Sequence, residues 1–307
     1  MKTILSILLS YIMATAVSHA SVPLFPASLF EDQAPEVVKA DSGKCGGNVM
    51  WKYHEKTKVL EIYGKGPMWT YGGWFDAYNY IEGQVPWIGK PFKTLIIRKG
   101  VKSITQGVFK SSAELTSVII PGTVKRIDKN AFEDCSKLTY VVMSDGVKEI
   151  GERAFANCPN IWSIAIPNSV KIMEGYAFFR CKMLRTVNLS NSLKSISPSA
   201  FSYCENLDSV DIPEGVKSIE PLAFFRCGNL TTITLPKSLK SIGEGALGRT
   251  RILYGALEHP VAIKDKCAFV DHPNPYIFDI YDETNFMLDN FDELMQLKRR
   301  AEERVKK

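Results

Sequence analysis

Five cysteines recur at a constant interval, and this period constrains the fold more than any other feature of the 307-residue chain. Each lies 23 residues after the one before, at Cys135, Cys158, Cys181, Cys204 and Cys227. A constant period of this length predicts a solenoid, because one repeat cannot bury its apolar face alone and stacked repeats share a continuous core.

Other residue types follow the same period. A leucine column lies three residues after the cysteine position, and a phenylalanine column reads Phe109, Phe132, Phe155, Phe178, Phe201 and Phe224, with Leu247 in the seventh place. The composition, 45% apolar and 23% charged, is that of an ordinary globular protein. The chain is therefore long enough, and apolar enough, to fill a core along several coils.

The apolar spacing changes within one repeat. Ala131, Phe132 and Cys135 have helical spacing, whereas Val118 and Ile120 alternate with their neighbours as in a strand. We expect each coil to contain a strand, a turn, and a return made of one or two helical turns or an extended segment. Prolines close the strands at Pro121, Pro167, Pro213 and Pro236.

The recurring pattern Val-Lys-x-Ile-x-x-x-Ala-Phe-x-x-Cys-x-x-Leu-x-x-Val-x-Ile-Pro resembles the BspA-like leucine-rich repeat of secreted and surface proteins. The resemblance runs from about Leu95 to Leu253. It implies a repeat solenoid, a β-rich leucine-rich-repeat superhelix of the α/β horseshoe type, right-handed and capped at both ends, and an adhesin-like role. Departures from the pattern are Ser112 and Thr250 for cysteine, Met173 for isoleucine, and Arg98, Ser144 and Ser190 for proline.

The sequence pattern, together with this resemblance, predicts six segments. They are a signal peptide (1–20), a linker (21–44), an aromatic N-terminal cap (45–94), the repeats (95–253), a C-terminal cap (254–275) and a charged helical tail (276–307). The leader has Lys2, an apolar run and Ser18-His19-Ala20, a pattern typical of export and too short for a membrane span. The rings of the cap serve either to cover the first coil or to stack on sugars.

The cysteines raise the question of disulfides, since the chain carries seven and is expected to be exported. Two arrangements are open: a buried, reduced column in which cysteine fills space, and occasional disulfides between neighbouring coils. No Cys-x-x-Cys spacing occurs, so a zinc site is not expected. We expect no cofactor and no catalytic residue, because no histidine lies beside the cysteine column and no hydrolase or phosphate-binding motif is present.

Two surfaces are candidates for binding. One is the outward side of the strands in the first coils, represented by Ile119, Tyr140 and Val142 with Trp162 beside them, where apolar residues precede polar ones along the stack. The other is a row of seven lysines at 23-residue intervals, represented by Lys125, Lys148 and Lys171. This row either attracts an anionic partner or keeps one side hydrated, with its charge offset by nearby acidic residues.

Three functions follow, in decreasing order of support. The first is an exported, non-enzymatic protein that binds an extracellular protein or glycan; the second is an inert spacer; the third is an enzyme in the cap region. Nucleic acid is a poor partner for an exported chain with a net charge of +5. Neither an oligomeric state nor a transmembrane segment in the mature chain is indicated.

Overall fold

The structure, a computed structural model, describes residues 41–71 and 85–252. The regular elements in these two ranges are all strands: β1 (Asp41–Lys44), β2 (Val49–His54), β3 (Val59–Gly64), β4 (Thr94–Ile97), β5 (Ser103–Ile104), β6 (Ser117–Ile120), β7 (Arg126–Ile127), β8 (Tyr140–Met143), β9 (Glu149–Ile150), β10 (Ser163–Ala165), β11 (Ile172–Met173), β12 (Thr186–Asn188), β13 (Ser195–Ile196), β14 (Ser209–Asp211), β15 (Ser218–Ile219), β16 (Thr232–Thr234) and β17 (Ser241–Ile242).

The strands form two stacked columns, as expected for a solenoid. The longer strands make sheets in the order β1-β2-β3-β4-β6-β8 and β10-β12-β14-β16, and the two-residue strands make β11-β9-β7-β5 and β13-β15-β17. Pairing between coils is parallel, whereas β1, β2 and β3 of the cap pair antiparallel with one another. The register joins residues 23 positions apart, for example Ser117 with Tyr140. The sequence period is therefore the hydrogen-bonding period.

Of the two returns expected after each short strand, helical turns or an extended segment, the described coils contain no helix, so the α/β wording of the fold prediction does not apply to them. Asn130 and Asp134 have φ angles of 58° and 62°, and each later coil repeats a pair of positive φ angles four residues apart. A right-handed helix cannot continue through such residues, since it requires negative φ. Successive turns replace the helix, and the N–H groups of Asn130, Phe132 and Asp134 donate to carbonyls of the next coil at 2.8–2.9 Å.

The phenylalanine column forms a continuous stack of rings in the core. Neighbouring rings from Phe109 to Phe224 have centroids 5.2–5.5 Å apart, and their planes are within 15° of parallel. The leucine column and the inward residues of both strand columns pack around these rings and are buried in the same cluster. The core thus runs unbroken along the described coils.

The cap covers the first ring of this stack. Trp87 lies 5.2 Å from Phe109 in stacked geometry and meets Trp51 edge-on at 6.1 Å, and both indoles are buried. Trp69, by contrast, is 47% exposed. β1 lies in the segment 21–44 expected as a linker, so the C-terminal end of that segment is part of the sheet.

Several expectations fall outside the described residues: the leader, most of the linker, Trp74 and its neighbours in the cap, the C-terminal cap and the helical tail. In residues 41–71 and 85–252, no helix has the length and apolar character needed to cross a bilayer.

Candidate binding surfaces

The strand face, by which we mean the outward side chains of the longer strands, is built by the parallel register. In β6 and β8, Val118 and Val141 point into the core, so Ile119 and Val142 lie side by side on the outside, and Tyr140 lies beside Ser117. All three predicted residues, Ile119, Tyr140 and Val142, are partly exposed. The structure brings them together on neighbouring strands, as expected from strand periodicity.

The strand face changes character along the stack. One row reads Ile96, Ile119 and Val142 in the first coils and becomes Asn188, Asp211 and Thr234 in the later ones. The later side chains bond to one another along the row: the Thr234 hydroxyl donates to Asp211 at 2.6 Å. The apolar part of the strand face is therefore confined to the N-terminal coils.

Trp162 lies directly before β10 and is partly exposed. Its carbonyl accepts a hydrogen bond from the N–H of Arg185 in the next coil at 2.9 Å. The backbone of Trp162 is therefore part of the coil ladder, at the start of the strand that follows Tyr140 along the stack.

A charged cluster of the cap borders the apolar row, and sequence reasoning missed it. Glu61 of β3 is paired in register with Ile96, and its carboxylate lies 2.5 Å from Nε of Arg98 and 3.2 Å from Nε2 of His54. Arg98 stands at the repeat position that proline occupies in other coils. This departure from the repeat pattern was the sequence signal that could have indicated the cluster. The apolar row thus has a charged boundary on its N-terminal side.

The lysine row lies between the two strands of each coil, outside the strand face. Lys125, Lys148 and Lys171 are all exposed, and the backbone N–H of each later lysine donates to the carbonyl of the earlier one at 2.9 Å. The Lys125 ammonium donates to the carbonyls of Gly122 and Gly146. Within the described ranges no ion pair links a lysine of the row to an acidic side chain, so direct neutralisation is not observed there.

The cysteine column forms hydrogen bonds as well as filling space. At 3.1–3.3 Å, each thiol donates to the carbonyl of the phenylalanine 26 positions earlier, for Cys135, Cys158, Cys181, Cys204 and Cys227. In the end coils the hydroxyls of Ser112 and Thr250 donate instead to the carbonyl three residues before them. The six cysteines in the described ranges are buried and free, which corresponds to the first of the two arrangements left open by the sequence.

Burial favours the protonated thiol at four of these cysteines, Cys158, Cys181, Cys204 and Cys227, by raising the pKa of each. It raises the pKa of Cys181 to about 12. A thiolate is the reactive form, so these cysteines are poor nucleophiles and poor metal ligands at neutral pH. In the part of the chain that is described, no group of three or more histidine, cysteine or acidic residues is placed to hold a metal ion.

A second feature missed from the sequence is a groove on the turn side of the later coils. We call it the basic groove; it has a volume of about 550 Å³ and is lined by Arg180, Lys182, Tyr203, Glu205, Arg226 and Arg249. The three arginines occupy the same position of the 23-residue repeat: Arg226 lies 46 residues after Arg180, and Arg249 lies 23 residues after Arg226. This periodicity was visible in the sequence.

Comparison with known proteins agrees with the repeat pattern. The sequence profile described as the BspA type leucine rich repeat region matches residues 89–184 and 148–274, with six copies. Comparison with curated protein sequences finds no significant match.

Solved structures share the fold. A leucine-rich repeat protein from Bacteroides ovatus ATCC 8483 is similar at a TM-score of 0.52 and 23% identity, over 71% of this chain and 58% of that one. The T. pallidum leucine-rich repeat protein is similar at a TM-score of 0.52 and 24% identity, over 67% of this chain and 88% of that one. The match thus spans only 58% of the Bacteroides ovatus chain.

Proposed function

The chain belongs to the BspA-type leucine-rich repeat family, and from that premise we propose that it is an exported scaffold that binds an extracellular protein through the strand face of its first coils. Families of this kind have binding or structural roles, and their solenoid fold is typical of proteins without catalytic activity. The observation that carries the proposal is the apolar row Ile96, Ile119 and Val142 beside Tyr140 on the outside of the sheet.

The strand face suits a protein partner because its side chains are held by a rigid ladder. Binding to a preformed surface orders few additional groups, so more of the contact energy contributes to affinity. Tyrosine is enriched where proteins meet, and apolar side chains grouped on a surface mark interaction sites. The core does not need Ile119 and Val142 for its own packing, since Val118 and Val141 fill the inward positions.

Export is supported by the sequence of residues 1–20, whose apolar run and small residues before the expected cleavage point are typical of a signal peptide. We therefore place the protein outside the cell or at its surface. A protein partner encountered there has access to the strand face.

An inert spacer is the competing function, and the continuous ring stack is compatible with it because the core packs without a ligand. The two functions differ in one measurement. A spacer captures no extracellular partner through any surface, whereas a binding scaffold loses capture when the strand face is altered.

The experiment changes Tyr140 and Val142 to Ser and Trp162 to Ala in the full chain. We expect loss of capture from a panel of immobilised extracellular matrix proteins and cell surfaces, because contact area is removed from the partner site while the core is untouched. The matched control changes Thr186, Asn188 and Thr234 to Ala in the polar half of the same face.

The control variant should capture as the wild type does, and both variants should melt within a few degrees of it. Capture that survives the first variant but falls with salt and is abolished by changing Lys125, Lys148 and Lys171 to Glu assigns the partner site to the lysine row instead. Absence of capture by the wild type leaves the spacer function.

A further inference from the structure

We propose a second binding site, the basic groove of the later coils, and infer that it takes a segment of an acidic polysaccharide carrying sulfate or carboxylate groups. This site lies on the turn segments, on different residues from the strand face. It does not rest on the function proposed for that face.

The groove collects positive charge from several coils. Arg180, Arg226 and Arg249 come from three separate repeats, and Lys182 adds a fourth cation to the lining. The lining has one carboxylate, that of Glu205, which lies 3.2 Å from the Lys182 ammonium. Four cations against one anion leave a formal charge of +3 around a volume of about 550 Å³.

Aromatic rings beneath the groove fix the positions of two guanidinium groups. Tyr203 is buried, and its ring lies 5.4 Å from the guanidinium carbon of Arg180 and 5.1 Å from that of Arg226. The same two arginines also contact the rings of Phe179 and Phe225. These rings belong to a separate apolar cluster outside the main core, which holds them in place. Both side chains are therefore ordered before a ligand arrives.

The spacing suits a ligand with more than one anionic group. Because both guanidinium carbons flank one ring, they are at most 10.5 Å apart, the sum of 5.4 and 5.1 Å. Guanidinium groups bind planar oxyanions such as carboxylate and sulfate through paired N–H donors. A polymer that repeats such groups can contact several arginines along the stack at the same time.

The lining favours a polysaccharide over an acidic peptide. It is mostly polar, which suits the hydroxyl groups of sugars, and the Glu205 carboxylate accepts hydrogen bonds from hydroxyls but repels a run of acidic side chains. A ligand that alternates anionic groups with hydroxyls satisfies both features.

The experiment measures binding of the full-length chain to heparin, polygalacturonate, neutral dextran and a polyglutamate peptide by calorimetry at about 0.15 M salt. We expect binding to at least one acidic polysaccharide and none to dextran. The double change Arg180→Gln and Arg249→Gln should weaken that binding at least tenfold, since each loses charged hydrogen bonds to the ligand; tenfold corresponds to about 1.4 kcal/mol.

The matched control, Lys125→Gln with Lys148→Gln, removes the same charge from the lysine row and should weaken binding less than about twofold. Because Arg180 packs on rings, a second variant, Lys182→Gln with Arg249→Gln, tests the groove through exposed side chains only.

Equal weakening by groove and control variants, polyglutamate binding as tight as the polysaccharide, or failure of both acidic polysaccharides to bind would overturn the proposal. The strand-face variant should bind polysaccharide as the wild type does, so failure here and failure of the proposed function give different results.

Discussion

The properties of the cysteine thiol explain why cysteine rather than alanine recurs in the core. Its thiol is small enough for the space beneath the turns, and it donates to a phenylalanine carbonyl of the preceding coil at 3.1–3.3 Å. An intramolecular hydrogen bond contributes about 0.5–1.5 kcal/mol to stability, so the thiol makes a contact that alanine cannot make, and this gives a physical reason for the column. Sequence reasoning predicted that the cysteines are buried but not that they form this hydrogen bond. The repeat period shows which residues occupy equivalent positions, but it does not show which way a thiol points.

The thiols should resist chemical modification in the folded protein. We expect alkylating reagents at pH 8 to leave Cys135, Cys158, Cys181, Cys204 and Cys227 unlabelled until denaturant is added, because they are fully buried and desolvation raises the pKa of most of them. Mass spectrometry of labelled, unreduced protein provides the measurement. Rapid native labelling, or masses showing linked pairs, would contradict the buried column.

Glu133 is a buried charge that makes stability depend on pH. It is fully buried, with Lys110 Nζ 2.7 Å and Arg153 Nη1 3.6 Å from its oxygens. Desolvation raises the pKa of this carboxyl above its usual 4.5, and the two cations oppose the shift only in part. The folded state therefore holds the proton more tightly than the unfolded state does.

The sign of the effect follows from this difference. The contribution of Glu133 to stability is complete below pH 4.5 and is lost as pH rises through the raised pKa of the folded state. We expect the melting temperature of the wild type, relative to Glu133→Gln, to be lower at pH 7 than at pH 4.5. Paired thermal melts at the two pH values measure it, and a difference that is constant or of opposite sign rules it out.

At the level of elements, strands were predictable and turns were not. Alternation in Ser117–Ile120 identifies the inward residues of a strand because its side-chain period is two. The turn segment has apolar residues at helical spacing, yet its positive φ angles, as at Arg153 and Tyr176, arise from bonding between coils. Local spacing does not contain that information, and the basic groove, which lies on these turns, was missed for the same reason.

The ring stack is the element whose loss should cost most. Phe155 lies 5.2 Å from Phe132 and 5.4 Å from Phe178, so Phe155→Ala should leave a cavity between two coils and cost about 3–5 kcal/mol. Chemical denaturation measures the change. Ile172→Ala is the control, because Ile172 is 48% exposed and its truncation should change stability by less than about 0.5 kcal/mol. Equal effects of the two changes would disprove the stacked core.

At the scale of the whole molecule, the 23-residue repeat period determines the architecture but not the ligand. The 23-residue period predicts coils, core columns and the apolar start of the strand face. It does not predict which exposed residues meet across coils: Glu61 joins Arg98 through the cap, and Arg180 meets Arg226 through the ring of Tyr203. Such sites depend on side chains that the repeat leaves free to vary.

The strand columns and the ring stack share one 23-residue register, and this bears on how the chain can change in length during evolution. Equivalent positions recur every 23 residues in both strand columns and in the ring stack. Duplication or loss of one whole unit in the gene therefore leaves every remaining coil matched to its neighbours. An insertion or deletion of any other length misaligns all columns C-terminal to it. Each added unit lengthens the platform by about 4.8 Å, the spacing of paired strands, without a new core having to be selected.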